Sequence, residues 1–72
     1  MTEIRAEITA NVWQVPASVG DVVTEGAELA ILESMKMEIP VESPCAGTIT
    51  AVLIQPDDQV TEGDLIFEID PS

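Results

Sequence analysis

An internal repeat constrains this chain more than any other feature. Val23-Thr24-Glu25-Gly26 recurs as Val60-Thr61-Glu62-Gly63. At the same offset Val12 aligns with Ile49, Val15 with Val52 and Asp21 with Asp58. After the glycines the first copy carries one extra residue in this alignment, which sets Leu29 against Leu65 and Ile31 against Phe67. Two copies are too few for a solenoid, which needs at least about three stacked units. Two half-domains of about four short strands each, with apolar faces unstable in isolation, can instead close face to face.

The local pattern agrees with strands. Ile4, Ala6 and Ile8 alternate with Glu3, Arg5 and Glu7, and Met37, Ile39 and Val41 with Glu38, Pro40 and Glu42. Ile49, Ala51 and Leu53 make a third face, and Leu65, Phe67 and Ile69 a fourth. Leu29 and Ile31 alternate with Ala30 and Leu32, which predicts a strand covered on both faces. Val19-Gly20-Asp21, Glu25-Gly26, Pro44-Cys45-Ala46-Gly47, Pro56-Asp57-Asp58 and Glu62-Gly63-Asp64 mark the turns, with Gly26 and Gly63 expected at positive φ. Residues 25–37 hold several helix formers, but Leu29, Ile31 and Pro40 fit strands better. The expectation is one all-β domain over residues 1–72, a quasi-two-fold sandwich or flattened barrel, with Trp13 and Phe67 in core or edge packing.

Composition narrows the function. Nine Glu and five Asp against Arg5 and Lys36 give a formal net charge of −12. That surface repels nucleic acid and anionic membranes, suits basic partners, and keeps a small domain soluble. An apolar content of 46% separates the chain from acidic disordered ones. There is no histidine, and Cys45 is the sole cysteine. No internal disulfide, cysteine-based metal framework or histidine general base can form, a zinc site is not expected, and Cys45, with no cationic motif nearby, reads as an inert thiol. Nothing pairs the carboxylates with a pocket, so no catalytic residue and no metal ligand is assigned, and an independent enzyme is the least supported class. Residues 1–20 lack a basic start and an apolar run, and no stretch reaches transmembrane length, which leads to the expectation of a cytoplasmic protein.

One asymmetry between the copies points to a site. Met35-Lys36 joins two strands in the first half, whereas the corresponding place in the second lies near the chain ends. The hairpin and the termini are therefore expected at opposite extremities. Lys36 is the only lysine, and Met35-Lys36 replaces the Asn-Gly or Asp-Gly that a two-residue hairpin prefers. A local rule broken inside a consistent pattern marks function. A covalent carrier needs a single exposed primary amine on a rigid, protruding support, and Lys36 meets that description. Met35 and Met37 are flexible and apolar, suited to being read by a modifying enzyme, although Met37 fits core packing equally well.

Glu33-Ser34-Met35-Lys36-Met37-Glu38 resembles the attachment motif of biotinyl carrier domains, commonly Glu-Ala-Met-Lys-Met. Pro44-Cys45-Ala46-Gly47 resembles the family's Pro-x-x-Gly segment, and residues 20–26 and 58–65 resemble its two approach segments. The resemblance covers nearly the whole chain and is closest to the small stand-alone biotin/lipoyl attachment proteins. Residues 14–20 leave no room for the thumb loop of some acetyl-CoA carboxylase carriers, and Ser34 stands where many relatives have alanine. The resemblance implies a flattened β-barrel or sandwich of two four-stranded antiparallel sheets with the modified lysine at a hairpin tip. It implies biotin joined by an amide bond to Lys36 by a biotin protein ligase, with Met35 and Met37 as the recognised flanks. The implied partners are a biotin carboxylase and a carboxyltransferase. The rival readings are a lipoyl domain of a 2-oxo acid dehydrogenase-type complex served by lipoyl-attaching enzymes, a dual acceptor of both groups, and an unmodified interaction module. Lipoyl domains usually read Asp-Lys-Ala at the turn, so Met35 and Met37 favour biotin.

Overall fold

A computed structural model describes residues 2–71. Met1 and Ser72, the outermost positions of the expected domain, lie outside the described residues. Eight strands follow in order: β1 (Thr2–Arg5), β2 (Ala10–Gln14), β3 (Val22–Val23), β4 (Glu28–Ser34), β5 (Met37–Glu42), β6 (Gly47–Val52), β7 (Gln59–Val60) and β8 (Leu65–Pro71). No helix occurs among the described residues. They form two four-stranded antiparallel sheets, β1-β8-β6-β3 and β5-β4-β2-β7. Each sheet keeps two edge strands, so the flattened barrel of the expectation resolves as a sandwich.

The two halves do not each make one sheet, which corrects the stacked half-domain reading. Strands β1 and β3 join β6 and β8 in one sheet, while β2 and β4 join β5 and β7 in the other. Alternation along a strand identifies its buried face but not its sheet. By crossing between sheets, the chain lets each half line both inner surfaces.

The pairing register also corrects the alignment after the glycines. Val12 faces Leu32 as Ile49 faces Ile69, and Gln14 faces Ile31 as Ala51 faces Glu68. Ala30 faces Val41 as Phe67 faces Ile4. A constant offset of 37 residues relates every pair, so Leu29 corresponds to Ile66 and Ile31 to Glu68, with no extra residue. The turns follow the same rule, since Gly20 (φ 94°) corresponds to Asp57 (φ 75°) and Gly26 (φ 86°) to Gly63 (φ 93°). The two glycines thus have the positive φ expected of them.

Ile4, Ala6, Ala10, Val12, Leu29, Ala30, Leu32, Ile49, Val60, Ile66, Phe67 and Ile69 meet between the sheets, with Phe67 fully buried. Irregular pairing between Glu28 and Ala30, and its counterpart between Ile4 and Arg5, lets adjacent residues share one face. Hence Leu29 and Ala30 are both buried, while Ile31 turns outward and is only partly covered, against the expectation of a strand covered on both faces. Similar shifts near Trp13 and Thr50 break the Ile49-Ala51-Leu53 face and leave Trp13 44% exposed rather than in the core. Ile8, expected inward beside Ile4 and Ala6, is also at the surface.

Candidate functional site: the β4–β5 hairpin

Among the described residues only β4 and β5 are consecutive strands paired directly with each other. Their ladder runs from Glu28↔Glu42 to the closing pair Ser34↔Met37, leaving Met35 and Lys36 as a two-residue loop. Both have positive φ, 53° and 66°, the signs a type I′ turn needs to match the twist of its strands. Neither is glycine or asparagine, so each stores about 1–2 kcal/mol of left-handed backbone strain. The expected turn is present, and the broken turn rule has a geometric counterpart.

The base of the hairpin is fixed by packing. Leu32 is buried, and its cross-strand partner Ile39 and neighbour Val41 pack against the core. The tip is open to solvent, with Met35 90% and Met37 60% exposed and Lys36 exposed between them. Met37 therefore does not pack on the core, which settles one of the two readings offered by its spacing. Among the described residues Lys36 forms no ion pair, the sole ion pair being Arg5 to Glu3 at 3.0 Å. Glu33 and Glu38 face each other one pair below the tip, both exposed. The arrangement offers a primary amine on a stiff two-stranded stem, flanked by thioethers and carboxylates. Such an amine can accept an acyl group, and its surroundings fit a covalently tethered cofactor.

Other candidates carry less chemistry. An open groove of about 380 Å³ lies beside β5, lined by Arg5, Glu7, Ile8, Leu32, Ile39 and Pro40 among others. It brings together no nucleophile and base. No cluster of potential metal ligands occurs among the described residues. Cys45 is partly buried and packs against the core.

Two features of the hairpin sheet escaped the sequence reading. One is the direct opposition of Glu33 and Glu38, which follows from counting outward from a two-residue loop. The other is an outward apolar group, with Ile31 and Pro40 in register with Gln14, and Trp13 at the irregularity beside it, which the shifts in pairing concealed.

Comparison with known proteins follows the same lines. The family described as "Biotin-requiring enzyme" matches residues 2–69. The chain is 47% identical over 67 residues to the biotinylated protein TB7.3 homolog of Mycobacterium leprae, covering 93% of this chain and 94% of that one. It is 39% identical over 69 residues to the biotin/lipoyl attachment protein of Bacillus subtilis, covering 96% and 94% respectively. The urea carboxylase of Kluyveromyces lactis superposes with a TM-score of 0.89 at 33% identity, over 96% of this chain and 6% of the carboxylase.

Proposed function

Since the chain belongs to the biotin/lipoyl attachment family, we propose that it is a biotin carrier whose attachment point is the Nζ of Lys36. The observation that carries the assignment is the exposure of the sole lysine at a two-residue tip on a packed stem. A biotin protein ligase would join that amine to the biotin carboxyl group as an amide, ATP being split to pyrophosphate and AMP, with the carboxylate oxygen leaving on the AMP and the ammonium giving up its protons. The amide removes the lysine's positive charge and adds one net negative charge to an already acidic surface.

Lys36 would hold biotin there, and the bound group would supply an acceptor and donor for a carboxyl group passed between a biotin carboxylase and a carboxyltransferase. The residues of this chain perform no bond chemistry in that reading. Leu32, Ile39 and Val41 hold the stem, so that motion is confined to the side chain of Lys36 and what it bears. The tether raises the local concentration of the cofactor at a docked active site to the millimolar range, about that of a short flexible linker. Met35 and Met37 present an apolar collar for the ligase to close on. Lipoate on the same amine is the second reading, favoured by the dual name of the Bacillus subtilis relative.

The test is intact mass after coexpression with a biotin protein ligase. One biotinyl group is expected on the wild type and none on Lys36→Arg, with both proteins equally folded by circular dichroism. A biotinylated Lys36→Arg protein would falsify the site. One lipoyl group in place of biotin would select the second reading.

A further inference from the structure

The outer surfaces of the two sheets are related by the 37-residue offset, so each is a control for the other. On the hairpin sheet Ile31 pairs with Pro40 on one side and with Gln14 on the other, and Trp13 stands exposed at the irregularity next to Gln14. The residues corresponding to Ile31, Pro40, Gln14 and Trp13 are Glu68, Glu3, Ala51 and Thr50. Inward residues must be apolar in both sheets, but outward residues are under no such demand from the core. The fold therefore does not require Trp13, Ile31 and Pro40 to be apolar, since their counterparts are polar.

Charge differs in the same way. On the hairpin sheet the Ile31 and Pro40 pair lies between two facing glutamate pairs, Glu28 with Glu42 and Glu33 with Glu38. Like charges directly opposite are unfavourable. The position corresponding to Glu42 is Arg5, which donates to Glu3 at 3.0 Å and so neutralises part of its own sheet. No described cation pairs with the four glutamates of the hairpin sheet.

We infer that this outer face, with its apolar centre of Trp13, Ile31 and Pro40 and its rim of Glu28, Glu33, Glu38 and Glu42, docks the biotin protein ligase. The inference rests on the attachment reading above. The matching ligase face is apolar at its centre and rimmed by arginine or lysine. A second copy of this chain is disfavoured, because its own glutamate rim would meet the same charges. An anionic lipid surface is disfavoured on the same ground. The row through Ile31 and Pro40 lies three residues below the closing pair, about 10 Å along the strands. A standard docking patch buries about 800 Å² on each partner, roughly 30 Å across. An enzyme closing on Lys36 from this side therefore covers the row.

The test replaces each residue by its counterpart in the other sheet, giving W13T/I31E/P40E, so that every new side chain already occurs in an equivalent place in this fold. Biotinylation of the triple variant should show KM raised at least about tenfold, the equivalent of losing one strong contact, with kcat nearly unchanged. The charge-neutral variant W13A/I31A should move KM the same way, which separates lost apolar contact from added charge. The K36R protein with an intact face should inhibit wild-type biotinylation competitively, and K36R carrying the triple substitution should not. A measurement without face variants guards against misfolding: titrating ligase into isotope-labelled K36R protein should shift the amide signals of Trp13 and Ile31 and spare those of Thr50 and Glu68. Unchanged KM in a folded triple variant, or shifts confined to the other sheet, would overturn the inference. Failure of the wild type to be biotinylated refutes the attachment reading instead, and the titration still decides which face the ligase contacts.

Discussion

Replacing Met35-Lys36 by Asn-Gly should make the domain more stable while removing its function. The loop residues have φ of 53° and 66°, a region that costs an ordinary residue about 1–2 kcal/mol. Glycine at position 36 removes that penalty but loses about 0.5–1 kcal/mol through the greater freedom of the unfolded chain. Asparagine tolerates the left-handed region better than methionine and recovers about half the penalty at position 35. Little packing is lost, because Met35 is 90% exposed and Lys36 is exposed. Loss of the lysine charge from an acidic surface offsets the gain by a few tenths of a kcal/mol, roughly the value of one exposed charge interaction. The net expectation is about 1 kcal/mol of added stability, or a rise in Tm of about 4–8 °C for a domain of this size. Thermal unfolding followed by circular dichroism, on unmodified proteins at matched salt, reads it directly. An unchanged or lower Tm would show that the native tip is not strained and would remove the argument that function holds unfavourable residues there.

Two further perturbations examine the core and the charge. Phe67→Ala removes the largest fully buried side chain and should cost about 3–5 kcal/mol in a denaturant titration, much of a small domain's stability; a loss below about 1 kcal/mol would mean that Phe67 is not central to the packing. Raising salt from about 0.01 M to about 1 M shortens the screening length from about 30 Å to about 3 Å. The first value nearly spans the 35 Å long axis of a molecule of net charge −12, so Tm should rise by at least about 5 °C, the equivalent of about 1 kcal/mol, and a flat Tm would show that self-repulsion contributes little.

The hairpin was legible because two independent signals met at Lys36, the uniqueness of the amine and the absence of turn residues from a position that needs them. The strand count and quasi-symmetry were legible in the repeat. What escaped was set by backbone events that leave little trace in side-chain periodicity. An extra residue at Leu29, and at Ile66, shifts the alternation by one step, which invited the alignment of Leu29 with Leu65. The irregularity at Trp13 turned a residue read as packing material toward solvent. Which half supplies which sheet was equally hidden, because period-two patterning is the same for a strand paired within its own half and one paired across.

The topology also explains why an attachment lysine has so few places to sit. Of the seven connections among the described strands, six carry the chain from one sheet to the other. Several are held down by their own hydrogen bonds: the amide of Ser18 donates to Asp21, that of Gln55 to Asp58, and that of Thr61 to Asp64. Side chains on such connectors can be exposed, as Val19 is, but the backbone is tied back to the sheets, with the amides of Gly20, Asp57 and Gly63 donating to the carbonyls of Ile49, Val12 and Ala6, and is not drawn out as a free stem. The β4–β5 link stays within one sheet and projects from it as a two-residue tip. That tip combines a packed base, where Leu32 is buried and Ile39 and Val41 pack against the core, with an exposed end, and it is there that the sole lysine stands.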